Sequence, residues 1–283
     1  MQHSLQVPSF VVLYCLDSGS DSLPNGSLNS FSIGGGGVLT RITRVSAPFS
    51  DVAGNLVTTE SGARGYVSAS YWPIKFTFLG RNRSAAGVFA LSHDGALPGN
   101  GPLKSSPRPS RHLARVPSLQ DTSYLHHVII DPKNQYVLLA DPGGDRVRVY
   151  TKDPTSIAPI KEVDGLATAP SASPRHGVFK TATNGEVFFF FVNSELDRNI
   201  YLYRLRYNES GLAFTEIFSI PAINPDCPAT KAPTSEIAIT NIRSVFIRKR
   251  DLASGKIIAE AEGGKVGQIT LAGTVVATSF DED

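Results

Sequence analysis

Polar side chains gather at four places where an apolar stretch of this sequence begins or ends. The four clusters are His126-His127, Pro174-Arg175-His176, Asn193-Ser194-Glu195 and Ser235-Glu236. Together they contain imidazole, guanidinium and carboxylate groups, which can move a proton, hold an anion and supply a second proton carrier. We therefore expect one polar pocket wherever the fold brings these clusters to the same rim.

Each of these side chains also has a structural interpretation. A histidine at such a position often hydrogen-bonds a neighbouring backbone, and His126 and His127 alternate, so that only one of them faces a given side of a strand. Arg175 can bridge backbone carbonyls or a carboxylate. Glu195 and Glu236 can tie neighbouring sheets together. The residue types alone leave both interpretations open.

The elements that must position these clusters are short strands in a repeat. The clearest unit is Leu125–Tyr150, LHHVIIDPKNQYVLLADPGGDRVRVY, in which turn residues separate apolar and alternating stretches. Similar units begin near Val11, Gly65, Glu186 and Ser235, a period of about 45 to 60 residues. This spacing is typical of the four-stranded blades of a β-propeller, and an irregular β-sandwich is the alternative. The run Val187–Val192, with four consecutive phenylalanines, predicts an inner strand buried on both faces.

The composition is that of a globular chain rich in turns. Of 283 residues, 41% are hydrophobic and 18% are charged, and 25 Gly and 19 Pro are present. We expect a single all-β domain over residues 1–283. The longest apolar runs are far shorter than the roughly 20 residues of a membrane-spanning helix. The net charge of +2 forms no clustered basic face. Neither a membrane nor a nucleic acid is therefore an expected partner.

Several common catalytic classes lack their motifs here. The sequence contains no G-x-S-x-G elbow, no Walker A loop and no H-E-x-x-H pair. Two cysteines, Cys15 and Cys227, are too few for a disulfide framework or a four-ligand zinc site. The Gly34–Gly37 run is better explained as a hairpin turn than as a phosphate loop. The N-terminal segment predicts a cytoplasmic location by default, while three N-x-S triplets keep a secreted ancestry open.

At these same residues the chain resembles the fungal branch of the lactonase-type seven-bladed β-propellers. That family includes 6-phosphogluconolactonase-like proteins and carboxy-cis,cis-muconate cyclase. The matching segments are His126–Pro132, Ala140–Tyr150, Pro174–Phe179, Ser194–Leu196 and Ser235–Ala238, with further matches at Leu13–Asp17, Pro24–Leu28 and Leu119–Asp121. The resemblance implies an all-β propeller of four-stranded blades, seven in the family, of which about five to six are legible here.

The resemblance also implies a set of site residues and a substrate class. It makes His126, Arg175 and Glu195 the expected catalytic residues. The expected substrate-binding residues are Tyr124, His127, His176 and Glu236. The implied substrate is a small lactone or dicarboxylate: Arg175 would hold its carboxylate or polarise its carbonyl, and Glu195 or His126 would move the proton. The family is not known to require a metal, and no cofactor is expected.

Three activities fit this description, and the chain departs from the family pattern. The activities are lactone hydrolysis, a cyclase reaction that adds a carboxylate across a double bond, and a non-catalytic propeller that serves as a binding scaffold. Tyr124 stands where the family has a first histidine. About a blade of sequence is missing between Ile239 and Val245, and Trp72–Arg83 resembles an insertion. A propeller that lacks a blade has exposed sheet edges, which favours the scaffold alternative.

Overall fold

The protein is built almost entirely of antiparallel β-strands. The computed structural model describes residues 12–17, 26–47, 50–72, 84–97, 104–108, 120, 123–157, 160–181, 188–222, 234–240, 246–250, 257–262 and 274–279. Two single-turn 3-10 helices, Gly35–Gly37 and Pro142–Gly144, are the helical elements of this part of the chain. None of the helical segments in these ranges has the length and apolar character needed to cross a membrane. The predicted all-β class is confirmed.

The chain divides into two compact units, residues 1–167 and 168–283. Among its described residues, the first unit contains three sheets whose strands follow one another in chain order. The first sheet is β1 (Val12–Asp17), β2 (Ser27–Ile33) and β3 (Leu39–Ser46). The second is β4 (Ser50–Thr58), β5 (Arg64–Trp72), β6 (Ser84–Leu91) and β7 (Lys104–Arg108). The third is β8 (His127–Ile130), β9 (Tyr136–Asp141), β10 (Arg146–Lys152) and β11 (Ile160–Ala167).

Within the first unit, the first strands of successive sheets lie side by side. Strand β1 lies against β4, and β4 lies against β8. The Asn55 side chain on β4 donates a hydrogen bond to the carbonyl of Val128 on β8, at 3.3 Å. The buried core between these sheets is apolar and includes Val57, Val67, Val88, Val128 and Leu139. Burying each such side chain contributes about 1.5–3 kcal/mol, so apolar packing holds the sheets together.

The Gly34–Gly37 run lies between β2 and β3, as the hairpin interpretation predicts. The backbone φ angles of Gly36 and Gly37 are 71° and 79°. Residues with a Cβ rarely adopt this left-handed region, so the turn requires glycine there. No helix follows, because the chain continues directly into the extended strand β3.

The second unit contains one four-stranded sheet and two strand pairs among its described residues. The sheet is β12 (Pro174–Thr181), β13 (Phe188–Ser194), β14 (Asn199–Asn208) and β15 (Gly211–Pro221). The pairs are β16 (Thr234–Thr240) with β19 (Thr274–Ser279) and β17 (Phe246–Arg250) with β18 (Ile257–Glu262). Strand β12 lies against β16, so first strands are neighbours in this unit as well.

Strand β13 is buried on both faces, as its phenylalanine run predicts. Phe189 and Phe191 belong to a core with Ile200, Leu202 and Ile237. On the opposite face Phe190 is fully buried and its ring lies 4.6 Å from that of Phe179. Because neighbours on a strand point to opposite faces, a continuous apolar run is what such an interior strand needs.

The predicted repeat is correct in kind but begins one strand late in two units. The second and fourth repeats were predicted to begin at Gly65 and Glu186, whereas β4 and β12 precede them in their sheets. Both strands interrupt the apolar pattern: β4 contains Gly54, and β12 begins with Pro-Arg-His-Gly. The fifth repeat also differs, because β16 pairs with β19 and not with the next strand along the chain.

Candidate functional site

An ion pair at the rim of the fourth sheet joins two of the expected catalytic residues. Arg175 Nη1 lies 3.4 Å from Glu195 Oε1, and the two side chains are 11% and 17% exposed. Partial shielding from water strengthens an ion pair relative to one on an open surface. A guanidinium binds carboxylates in a planar, forked geometry. The group that holds Glu195 is therefore also suited to a carboxylate on a small molecule.

A β-bulge places Arg175 at this rim. Pro174 pairs with Ser194 and His176 pairs with Asn193, so Arg175 is the extra residue on β12. Such bulges redirect a side chain and are frequent beside functional sites. The His176 amide donates to Asn193 Oδ1 at 3.0 Å. The bulge is thus held by an amide side chain on the neighbouring strand, which is itself fully buried.

The backbone also positions the other member of the pair. The Glu195 amide donates to the carbonyl of Ser173 at 2.8 Å, and the Leu196 amide donates to the carbonyl of Ala172 at 3.3 Å. These two bonds tie the end of β13 to the segment that enters β12. The separation of Arg175 and Glu195 therefore follows from backbone contacts on both sides.

Two further expected substrate-binding residues lie in the second unit. His176 is buried, with 8% of its surface exposed, and stands next to Arg175 on β12. Glu236 lies on β16, where its backbone pairs with Thr278, and its side chain is outside the described residues. Substrate binding by His176 and by Glu236 stays a prediction.

The remaining expected residues lie together in the first unit, where the chain enters β8. Tyr124, His126 and His127 are all half-buried. The His126 amide donates to the carbonyl of Ala140 at 2.9 Å, and His127 is the first residue of β8, paired with Ala140. The structure thus places this cluster beside the end of β9. His126 is held at the rim by its backbone.

The residue that organises this entry segment is one that the sequence interpretation missed. Asp141, the last residue of β9, is 0% exposed, and its carboxylate accepts four hydrogen bonds. The donors are Ser123 Oγ at 2.7 Å, the Tyr124 amide at 3.0 Å, the Gly144 amide at 2.9 Å and Arg148 Nε at 2.7 Å. The sequence offered one signal for this role: an acidic residue between an apolar stretch and a Pro-Gly-Gly turn can accept hydrogen bonds from the amides of the turn.

Arg148 completes this buried network. Its Nη1 donates to Glu162 Oε1 at 2.9 Å, in addition to its bond with Asp141. Burial by itself lowers the pKa of the Arg148 guanidinium, but the charge of Asp141 and the hydrogen bonds to Asp141 and Glu162 outweigh it and raise the pKa above its ordinary value. Arg148 therefore keeps its charge, and this one cation is shared by two carboxylates.

The structure brings the expected residues together within each unit. Arg175, His176 and Glu195 form one group in the second unit, and Tyr124, His126 and His127 form another in the first. Within the described ranges, no three or more His, Cys, Asp or Glu side chains form a group that could hold a metal ion. The two groups offer a guanidinium, a carboxylate, imidazoles and the Tyr124 phenol.

Comparison with known proteins identifies a family for this chain. Residues 5–276 match the family model "Lactonase, 7-bladed beta-propeller". A probable 6-phosphogluconolactonase of Arthroderma benhamiae is 26% identical over 205 residues, which cover 71% of this chain and 46% of that protein. The chain thus spans about half the length of this curated relative.

Two solved structures show the same fold. The periplasmic gluconolactonase of Pseudomonas aeruginosa aligns with a TM-score of 0.65 and 15% identity, over 88% of this chain and 69% of that one. A putative 6-phosphogluconolactonase of Bacteroides fragilis aligns with a TM-score of 0.58 and 18% identity, over 89% of this chain and 67% of that one. Identities this low show that the fold is shared. They do not show the activity, which has to be inferred from the site residues.

Proposed function

The chain belongs to the lactonase family of seven-bladed β-propellers, and we propose from this that it hydrolyses a small lactone that carries an anionic group. The observation that carries the proposal is the shielded Arg175–Glu195 pair at the bulge between β12 and β13. The pair combines an anion-binding cation with a proton carrier at one place. A phosphorylated or carboxylated sugar lactone, as the name of the curated relative suggests, is the first substrate class to test.

The reaction requires three tasks of the protein. Arg175 binds the anionic group or the carbonyl oxygen, and it stabilises the negative charge that develops there when water attacks the carbonyl carbon. The Glu195 carboxylate accepts a proton from the attacking water. The ring C–O bond then breaks, and the proton passes to the departing ring oxygen, which yields the open hydroxy acid. His126 is the second candidate for the proton transfer.

Replacement of Arg175 tests this assignment. We expect Arg175→Ala to lower kcat/KM for lactone opening by roughly 10²–10³, the usual cost of removing one charge-stabilising donor. Arg175→Lys keeps the charge but loses the fork, so it should restore part of the rate. Opening is measured by base uptake at constant pH over a panel of phosphorylated and carboxylated lactones, after subtraction of spontaneous hydrolysis.

A matched control uses an arginine of the same sheet. Arg204 is exposed on β14, so Arg204→Ala should leave kcat/KM unchanged. The proposal is abandoned if the purified protein opens no lactone of the panel, or if Arg175→Ala is as active as the unaltered protein.

The partial shielding of the pair from water favours a second candidate reaction. Because both side chains are less than a fifth exposed, the same groups suit an intramolecular addition in which a substrate carboxylate, and not water, is the nucleophile. This is a carboxy-cis,cis-muconate cyclase-like reaction, in which a C–O bond forms at one carbon as the π bond breaks and the proton carrier donates a proton to the other carbon. Loss of muconate absorbance without lactone opening would favour it. A ligand that raises the melting midpoint without turnover would favour the binding scaffold.

A further inference from the structure

The segment that carries His126 has little regular structure of its own. Residues 123–126 precede β8, which begins at His127. The His126 amide donates to the Ala140 carbonyl, and the Ser123 hydroxyl and the Tyr124 amide donate to the Asp141 carboxylate. Ala140 and Asp141 are the last two residues of β9. These three bonds therefore fasten the segment that carries His126 to the end of that strand.

Asp141 is the acceptor that side-chain chemistry can alter. Its carboxylate is completely buried, and each oxygen binds the entry segment and a second element at once. Oδ2 accepts from Ser123 Oγ and Arg148 Nε, both at 2.7 Å. Oδ1 accepts from the Tyr124 and Gly144 amides. Hydrogen bonds to a buried ionised group are stronger than neutral ones, so the carboxylate fixes the entry segment relative to β9 and β10.

The second unit uses an equivalent device. Asn193, near the end of the second strand of its sheet, accepts the amide of His176, beside Arg175. In both sheets an acceptor side chain near the end of the second strand thus binds a backbone amide, which lies just before the first strand in one sheet and at its start in the other. This recurrence indicates that Asp141 holds the backbone at the rim in addition to pairing with Arg148.

We propose that Asp141 is the positioning residue of His126, and that it sets how far the imidazole stands out of the rim. The proposal rests on the proposed function in one respect, because the proposed function supplies the reaction in which His126 would act. The hydrogen bonds that fix the segment exist whether or not a lactone is opened. A measurement on the imidazole itself therefore separates the two ideas.

The experiment measures the rate at which diethyl pyrocarbonate modifies each histidine of the full chain, resolved by peptide mass spectrometry at constant pH. His93, which is exposed on a turn of the second sheet, is the internal reference. Asp141→Asn should raise the His126 rate several-fold relative to His93, because the NH2 group replaces one of two oxygens that each accept one bond from the entry segment. Glu162→Gln removes the other carboxylate partner of Arg148 and leaves the bonds of Ser123 and Tyr124 to Asp141 in place. It should leave the His126 rate unchanged.

Ser123→Ala keeps the experiment decisive if Asp141→Asn does not fold. This substitution removes one donor to Asp141 and leaves both partners of Arg148 in place, and it should raise the His126 rate in the same direction by a smaller factor. An unchanged His126 rate in the folded Asp141→Asn protein, or in Ser123→Ala where the former is insoluble, overturns the proposal. An equal rise in Glu162→Gln also overturns it, because Asp141 would then act only as the counter-ion of Arg148. Absence of lactone opening in the unaltered protein would reject the proposed function and leave this result standing.

Discussion

Asp141 and Glu195 are both carboxylates at the end of the second strand of their sheets, but they meet different surroundings. Asp141 is fully buried and accepts four hydrogen bonds, whereas Glu195 is 17% exposed and meets one guanidinium at 3.4 Å. The four donors hold the Asp141 carboxylate in place away from solvent, so Asp141 suits the positioning role that we propose for it. Glu195 is partly exposed beside Arg175, so the proposed function assigns the proton transfer to Glu195.

This difference explains what could be predicted at the residue scale. Arg175 and Glu195 were identified from their types and their places beside apolar stretches, and the structure joins them. Asp141 was included only within the family-like segment Ala140–Tyr150. Its partners Ser123 and Arg148, and Glu162, which shares Arg148 with it, lie 7 to 21 residues away along the chain. No periodic pattern encodes such a network, because it arises only when three strands and an entry segment meet.

A tyrosine on β14 makes the stability of the second unit sensitive to alkaline pH. Burial, followed by the hydrogen bond and the charge of Asp197, raises the pKa of Tyr201 from 10.0 to about 12. Below pH 10 both the folded and the unfolded chain keep this proton. Between pH 10 and 12 the unfolded chain loses the proton and the folded chain keeps it, so the free energy of unfolding falls as pH rises.

Tyr201→Phe should therefore lose less stability than the unaltered protein when the pH is raised from 10 to 12. The measurement is urea unfolding at several pH values, followed by tyrosine fluorescence or circular dichroism. A comparison at pH 7, where the hydroxyl is protonated in both states, isolates the plain cost of losing the hydroxyl hydrogen bond. If the free energy of unfolding fell equally in the two proteins between pH 10 and 12, the raised pKa of Tyr201 would be contradicted.

At the scale of elements, register shifts occur in the first strands that contain Arg175 and Glu236. Strand β12 has its register shift at Arg175, and β16 has one between Thr234 and Glu236. Strand β4 shifts register at Asp51. A bulge terminates regular pairing and turns a side chain towards the rim. The same irregularity hides these strands from a period-two pattern, which is why β4 and β12 escaped prediction while the regular strand β13 did not.

Asn193 is the side chain that holds the bulge of β12. We expect Asn193→Ala to destabilise the protein by about 1–3 kcal/mol, because the buried His176 amide loses its side-chain acceptor. It should also lower kcat for lactone opening, since the bulge no longer fixes Arg175. Urea unfolding and the lactone assay measure the two effects on the same preparation.

Asn208→Ala is the control for this substitution. Asn208 is exposed at the turn between β14 and β15, where its Oδ1 accepts from Ser210 Oγ at 3.0 Å. A change there should cost much less stability and leave kcat unaltered. If Asn193→Ala retained full kcat despite a loss of stability, the bulge would be a structural feature without influence on the reaction.

At the scale of the whole molecule, locality in sequence made the fold predictable. Within each sheet of the first unit and within the fourth sheet, each strand pairs with the strand that follows it along the chain. A repeat of strands and turns is therefore visible in the sequence. Among the described strands, β16 departs from this order: its pairing with β19 joins Thr240 to Thr274, 34 residues apart, and Thr234 to Ser279, 45 residues apart. Pairing across intervening strands leaves no local pattern to detect.

The arginines that pair with the described carboxylates lead us to expect that the proposed lactone opening needs no metal ion. The carboxylates that lie near the expected site residues bind cations already: Asp141 and Glu162 share Arg148, and Glu195 pairs with Arg175. Dialysis against a chelator should therefore leave kcat and KM for lactone opening unchanged, and added Ca²⁺, Mg²⁺ or Zn²⁺ should not increase the rate. If chelation abolished the activity and one of these ions restored it, the prediction would be contradicted. The developing negative charge would then be stabilised by a metal and not by Arg175. The Arg175→Ala protein tells these cases apart, because a metal-dependent reaction would retain most of its rate without the guanidinium.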